Sequence, residues 1–267
     1  MGYLAETVAC ARETEAKPAG GDNVVPWDEG KLAEWLVSVP GSFLAQRLAM
    51  VKAIRHRLSA LADRLNQDDI ERALEAIAVV PRERFVCPLI DDLAYLPMPL
   101  AIGLDQIISH PELAAVLAAT AAPRGGHVLD VGTGSGYQAA VLARMADQVT
   151  SVEIIAGHAD LARSRLNRLG YANVEVVTGD AGAPGMFERN SFDAIVVAAG
   201  AATVPPELLA ALKVGGRMVM PLGATPDEEH LVLIEKTGDE QFRRTVLRPA
   251  RFVPLTGQGA RGNRDIG

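Results

Sequence analysis

The stretch His127-Val-Leu-Asp130-Val-Gly132-Thr-Gly134-Ser-Gly136-Tyr137 decides how the rest of the chain is organised. A short apolar run meets three glycines at alternate positions, and an Ala- and Leu-rich helical pattern follows from Ala139 to Met145. That order predicts a strand, a tight turn and a helix N-terminus. The glycines let the backbone approach a ligand where any Cβ would collide. The helix start adds unpaired N–H groups at the positive end of the helix dipole.

Toward the C-terminus the same rhythm repeats. Residues 149–153, 174–180, 192–197 and 217–223 have strand character, with helical patterns over 161–169 and 205–212 between them; the latter is expected to end at Gly215-Gly216. This alternation predicts an α/β fold, a parallel sheet covered by helices on both faces. The last two strands, 230–236 and 241–247, are separated only by a short turn at Thr237-Gly238-Asp239, so they must run antiparallel.

Toward the N-terminus the pattern is helical from Ser42. Leu44, Leu48, Val51, Leu58, Leu61 and Leu65 recur at helical spacing, and the basic residues Arg47, Lys52, Arg55, His56 and Arg64 form a solvated face. Asn66 to Asp69 break that helix and cap a second, on which Ile70, Leu74 and Ile77 share a face. Residues 88–111 have the Pro- and Leu-rich composition of a loop. Ser109 or His110 is placed to cap the helix that opens at Pro111, and on pattern alone Ser109 is a cap rather than a catalytic residue. Residues 1–40 mix Ala, Glu, Gly and Pro and are expected to form an arm, with Trp27, Leu32, Trp35 and Leu36 as its anchor.

Composition bounds the function. A chain of 267 residues with 49% hydrophobic and 22% charged residues can bury a real core. A net charge of −7 and a pI of about 5.3 argue against nucleic acid or anionic membrane as general partners. No apolar run approaches the roughly 18 residues of a membrane span, and no signal-peptide pattern opens the chain. Cys10 and Cys87 supply neither a disulfide framework nor a metal-ligand set, so a reducing, cytoplasmic home and a metal-free site are expected.

The ligand of the turn follows from three acids. A dinucleotide site wants G-x-G-x-x-G, and the place of its third glycine is taken here by Tyr137. Asp130, just before the turn, would repel a pyrophosphate but suits a ligand carrying a sulfonium and an α-ammonium. Glu153 ends the next strand, where it suits a ribose diol. Asp180 ends the third, where it suits an adenine amine. All three lie at the carboxyl edge of the expected sheet, where open α/β folds bind ligands. S-adenosylmethionine matches this set and a nicotinamide dinucleotide matches it poorly. No catalytic triad or P-loop lysine accompanies the turn, and the isolated His127 and His158 are expected to be structural. Lack of a base suits a carboxylate acceptor, which has a pKa of about 4 and is already ionised at neutral pH.

Four stretches in order then resemble the protein-L-isoaspartate O-methyltransferase family, over about residues 47–255. They are Val79-Val-Pro-Arg-Glu-Arg-Phe-Val86, Ile102-Gly-Leu-Asp-Gln-Ile-Ile-Ser-His-Pro111, Val128 to Ala140, and the later group Phe192-Asp-Ala-Ile-Val-Val197, Leu212-Lys-Val-Gly-Gly-Arg217 and Arg251-Phe-Val-Pro-Leu255. The resemblance implies a Rossmann-like class I S-adenosylmethionine-dependent methyltransferase, with a mostly parallel seven-stranded sheet ending in an antiparallel hairpin and preceded by helices. The chain is expected to divide into an arm over 1–40, extra to the family pattern, a helical region and substrate loop over 41–110, a methyltransferase domain over 111–257 and a tail over 258–267. The resemblance implies esterification of the α-carboxyl of isoaspartyl residues in damaged peptides or proteins, by a monomer or weak dimer.

It also assigns residues. Ser109 sits at the reacting carboxylate, against the cap reading. Ile108, Asp130, Gly132, Thr133, Gly134, Gly136, Glu153, Asp180 and Ala181 hold the cofactor, and Gln106, Ile107, Ala199 and Ala202 meet the substrate. The chain departs from the family pattern at Asp105 (a Gly), Ile107 (a Thr), Ala181 (a Gly) and Ala202 (a Pro). These departures leave open a different carboxylate acceptor, or cofactor binding without repair activity.

Overall fold

Ser42 starts the first helix among the described residues, α1 (Phe43–Leu58), by accepting a hydrogen bond from the Ala45 N–H at 3.3 Å. The computed structural model describes residues 42–61 and 63–258. The arm expected over 1–40, with its Trp27, Leu32, Trp35 and Leu36 anchor, and the tail beyond 258 lie outside the described residues. Asn66 opens α2 (Gln67–Val79) with a 2.8 Å bond from the Asp68 N–H, and Ile70, Leu74 and Ile77 are buried as their spacing predicts.

On α1 the apolar seam is shifted from the expected one. Met50, Val51, Ile54 and Leu58 are buried, whereas Leu44 and Leu48 are 58% and 52% exposed. The core-facing position one turn before Met50 belongs to Arg47, read from sequence as a solvated residue. Its Nε donates to the Tyr95 hydroxyl at 2.9 Å, and its guanidinium lies 3.6 Å from Glu83. A buried polar partner, invisible in the periodicity, turned the helix.

The segment expected to be a loop contains a small hairpin, β1 (Leu100–Gly103) and β2 (Gln106–Ile108), paired antiparallel. Its two-residue connection, Leu104-Asp105, has φ of 49° and 56°. Two left-handed residues are what a tight type I′ connection requires. The strands are short and the connection lacks the usual Asn-Gly, so the sequence pattern concealed them.

The rest alternates: α3 (Pro111–Ala121), β3 (His127–Val131), α4 (Tyr137–Leu142), β4 (Gln148–Glu153), α5 (Ala156–Arg168), β5 (Val174–Thr178), β6 (Phe192–Val197), α6 (Pro206–Ala211), β7 (Leu212–Leu222), β8 (His230–Gly238) and β9 (Gln241–Pro249). One seven-stranded sheet has the order β5-β4-β3-β6-β7-β8-β9. Pairing is parallel from β5 to β7 and antiparallel through β8 and β9. α6 stops at Ala211, before Gly215-Gly216, because β7 begins at Leu212 and pairs with Phe192 before an irregularity that resumes at Arg217.

Strand residues alternate between two apolar layers. Val128, Val196 and Val219 join α1 to α4 on one face, while Leu129, Ile195, Val197 and Met218 join α6 on the other. Both faces are covered, as a parallel sheet requires. The chain returns from β5 across the sheet to β6, so β3 and β6 flank the reversal of strand order, where ligands of such folds bind.

Candidate active site

At that reversal, the glycine turn folds back over the end of β4. The Gly132 N–H donates to the Val152 carbonyl at 2.9 Å. The Gly134 N–H donates to Glu153 Oε2 at 2.8 Å, and Glu153 Oε1 accepts from the Ile155 N–H at 2.9 Å. Glu153, 6% exposed, therefore staples the turn to the entrance of α5. Each of its oxygens keeps a second lone pair for a ribose hydroxyl.

Asp130 is completely buried. Its Oδ2 accepts from the Ser151 hydroxyl at 2.7 Å, which is itself 2.7 Å from the Thr133 hydroxyl. Oδ1 is buried with no hydrogen-bond partner among the described residues. Burial pushes the carboxyl up to about 7, the Ser151 bond opposing and the nearby Glu153 charge reinforcing the shift. An orphaned carboxylate oxygen at the foot of the turn is the fit expected for a cationic ligand such as the ammonium and sulfonium of S-adenosylmethionine.

The glycines divide the work. Gly134 has φ of +50°, and a Cβ there would lie 3.3 Å from Ile102 Cδ1. Gly136 has φ of +87°, and a Cβ there would press on Leu166 Cδ1 at 3.2 Å. Gly136 thus permits close packing of α4 on α5, while Gly134 keeps the turn open toward the hairpin. The hairpin is held there by a second contact, His158 Nε2 to the Gly103 carbonyl at 3.0 Å. His127 bonds Thr150 at 2.8 Å at the opposite end of β3.

The hairpin leads into Ser109. The cap of α3 is His110, whose Nδ1 accepts from the Glu112 N–H at 3.1 Å. Burial pushes the His110 imidazole down to about 4, so it stays neutral and able to accept. The cap reading of Ser109 is corrected: its hydroxyl is not used by the helix. Its carbonyl accepts from Arg82 Nη2 at 2.8 Å. Along β2, Ile108 is buried at 4%, Gln106 is half-buried and Ile107 is 44% exposed.

The other expected residues lie farther along the carboxyl edge. Asp180 Oδ1 accepts from the Gly182 N–H at 2.8 Å, and Oδ2 accepts from the Gln258 N–H at 2.5 Å. Both oxygens therefore have backbone partners. Ala181 and Ala199 are buried at 6% and 7% within the α6-side layer, and Ala202 is half-buried. Across them runs the segment 250–258, tied by Gly200 N–H to the Val253 carbonyl at 2.8 Å and Leu255 N–H to the Gly200 carbonyl at 2.7 Å. The structure thus joins the turn, Asp130, Glu153 and the hairpin directly, and ties the C-terminal segment to Asp180 and to Gly200, between Ala199 and Ala202. Sequence reasoning missed Ile102, Ser151 and Gly257-Gln258, none of which stands out as a motif.

Among the described residues, no group of three or more His, Cys, Asp or Glu side chains is arranged to hold a metal. No helix among them is long and apolar enough to cross a membrane.

The family model for protein-L-isoaspartate(D-aspartate) O-methyltransferase matches residues 56–260. The chain belongs to this family. A protein-L-isoaspartate O-methyltransferase 2 of Syntrophobacter fumaroxidans is 44% identical over 217 residues, covering 80% of this chain and 87% of its own. One from Anaeromyxobacter dehalogenans is 48% identical, over 69% of this chain and 89% of its own. A solved protein-L-isoaspartate O-methyltransferase superposes with a TM-score of 0.66 at 26% identity, over 80% of this chain and 67% of that one. A Plasmodium falciparum chain, named provisionally as such an enzyme and crystallised with S-adenosyl-L-homocysteine, shares the fold at a TM-score of 0.61 and 21% identity, over 77% and 97% of the two chains. The family and the Rossmann-like class I methyltransferase fold expected from the sequence are those found.

Proposed function

We propose that this member of the protein-L-isoaspartate O-methyltransferase family methylates the α-carboxyl of L-isoaspartyl residues with S-adenosylmethionine. The observation that carries the site assignment is Asp130 Oδ1, a buried and unpartnered carboxylate oxygen beneath the glycine turn. Asp130 would hold the cationic amino-acid end of the cofactor, Gly132, Thr133, Gly134 and Gly136 its backbone cradle, and Glu153 the ribose. Asp180, with Ala181, would take the adenine side after sharing or exchanging its bond to Gln258. When bound, S-adenosylmethionine supplies an electrophilic methyl group.

The chain's own contribution is positioning and exclusion of water. The acceptor carboxylate needs no base, being ionised at neutral pH. The Ser109 hydroxyl, not used as a cap, donates to one carboxylate oxygen and leaves the other to attack. Ile108 closes the core side of the pocket, and Gln106, Ile107, Ala199 and Ala202 are assigned to its peptide side. A metal-free site, a cytoplasmic setting and a monomer or weak dimer belong to the same proposal.

Labelled S-adenosylmethionine, offered with an isoaspartyl peptide and its aspartyl twin, tests the reading. Label only on the isoaspartyl peptide is expected; equal or absent labelling of the two rejects it. A second reading, another carboxylate acceptor, is favoured by Ile107, an apolar residue 44% exposed two positions before Ser109 where the family pattern has Thr. Asp105 is weaker support, because it occupies a left-handed turn position that Gly or Asp can fill. Ile107→Thr raising isoaspartyl turnover from nothing would establish that second reading.

A further inference from the structure

Among the described residues, Arg82 is a buried cation without a counter-ion. Its side chain is fully enclosed, yet among the described residues it forms no ion pair with a carboxylate. Glu83, next in the chain, is turned toward Tyr95 and Arg47 instead. The Arg82 Nε–H donates to the Ala94 carbonyl at 2.8 Å, and Nη2 donates to the Ser109 carbonyl at 2.8 Å. Its guanidinium carbon lies 4.9 Å from the centre of the Tyr137 ring. Nη1 and the Tyr137 hydroxyl are both buried and, among the described residues, neither makes a hydrogen bond of ordinary length. Enclosing an unpaired charge costs stability, and burial lowers the Arg82 pKa to about 10. Packing alone would be better served by an apolar side chain.

The contacts show what the charge secures. A rigid guanidinium fork can hold two carbonyls at fixed separation, which a single ammonium cannot do as well. One carbonyl belongs to the segment before the hairpin and the other to Ser109. The ring beneath belongs to Tyr137, the first residue of α4 after the glycine turn. Ser109 is thereby pinned on both flanks. Ile108 before it pairs with Leu100 in the hairpin, and His110 after it is fixed by its cap bond to Glu112. With the carbonyl clamped as well, the side-chain torsion is the main freedom left to the hydroxyl.

We propose that Arg82 is a positioning residue, which clamps Ser109 through its carbonyl and sets that clamp on the Tyr137 ring, so that the hydroxyl and the glycine turn keep one spacing. The proposal rests on the assignment of Ser109 to the reacting carboxylate. It places the cost of an unpaired buried cation at the joint between the acceptor loop and the cofactor turn, where small displacements slow a reaction strongly.

A double-mutant cycle separates this role from a structural one. Rates with the isoaspartyl peptide are measured for the full chain, Arg82→Lys, Ser109→Ala and the double variant, with cofactor affinity by calorimetry for each. Arg82→Lys is expected to lower kcat roughly tenfold while the cofactor Kd stays within about twofold. Added to Ser109→Ala, it is expected to cost less than about twofold more. An equal loss in both backgrounds, or unchanged kcat in Arg82→Lys, overturns the proposal. Full activity of Ser109→Ala alone removes the Ser109 assignment and this proposal with it, whereas an impaired Ser109→Ala with additive losses rejects only the role of Arg82. Tyr137→Leu withdraws the ring and leaves both carbonyl bonds, so it serves if Arg82→Lys does not fold. The same non-additive pattern at smaller amplitude supports the clamp, and additivity overturns it.

Discussion

At the residue scale, Ser109 and Asp130 are the positions whose chemistry is most exposed to test. With His110 serving as the cap of α3, Ser109→Ala is expected to leave the melting temperature within about 2 °C, since the hydroxyl holds no helix terminus. Turnover should fall at least tenfold with cofactor affinity unchanged, as steady-state kinetics and calorimetry would show; full turnover returns Ser109 to a passive role. Asp130, with its carboxyl raised to about 7, must lose a proton to receive a cationic ligand. Cofactor affinity should therefore weaken roughly tenfold from pH 7.5 to pH 6. In Asp130→Asn that slope should vanish along with most of the affinity. A pH-independent Kd in the unsubstituted chain would remove Asp130 from the ligand. Asp130 could be proposed as a ligand acid from the sequence, because its place before the turn is set by chain order. Its partner Ser151 was not, because only the pairing of β3 with β4, Asp130 opposite Ser151, brings the two together.

At the element scale, the turn and the hairpin depend on each other. Gly134→Val would force a branched side chain into a left-handed φ and against Ile102. Loss of measurable cofactor binding is expected in calorimetry, with the fold retained by circular dichroism; wild-type affinity would place the cofactor elsewhere. In the hairpin, Leu104 holds φ of 49° with an aliphatic side chain, a strain of about 1 kcal/mol. Leu104→Gly relieves it but loosens the unfolded chain, so urea unfolding should change by less than about 1 kcal/mol. A larger loss would mean that the Leu104 side chain, which approaches Gly157, anchors the hairpin by contact. The strands and helices of the sheet were legible because each carries a period of its own. The hairpin was not: its strands are short, and its two left-handed residues are held by tertiary contacts from Ile102 to the turn and from His158 to Gly103 rather than by turn residues.

At the scale of the whole molecule, Asp130 also links stability to pH. Its folded pKa of about 7 lies above the ordinary value of 3.8, so between these values the folded chain binds a proton that the unfolded chain releases. The contribution is fully present below about pH 4 and is lost as pH rises through about 7. Without cofactor, urea unfolding should show lower stability at pH 8 than at pH 5 from this group, by ~3 kcal/mol for the two pH units between 5 and the folded pKa, and Asp130→Asn should remove that difference. A difference unchanged in the variant would assign it to other groups. The α/β class, the antiparallel close of the sheet, the glycine turn and the family could all be read along the chain, since these rest on local period, chain order and contiguous motifs. Three-dimensional packing was needed to show that His110 rather than Ser109 caps α3, that Arg47 and Arg82 face inward, and that Asp180 is bonded to Gln258. These are choices among side chains of equal local merit, and the contacts that settle them come from segments far apart in the chain.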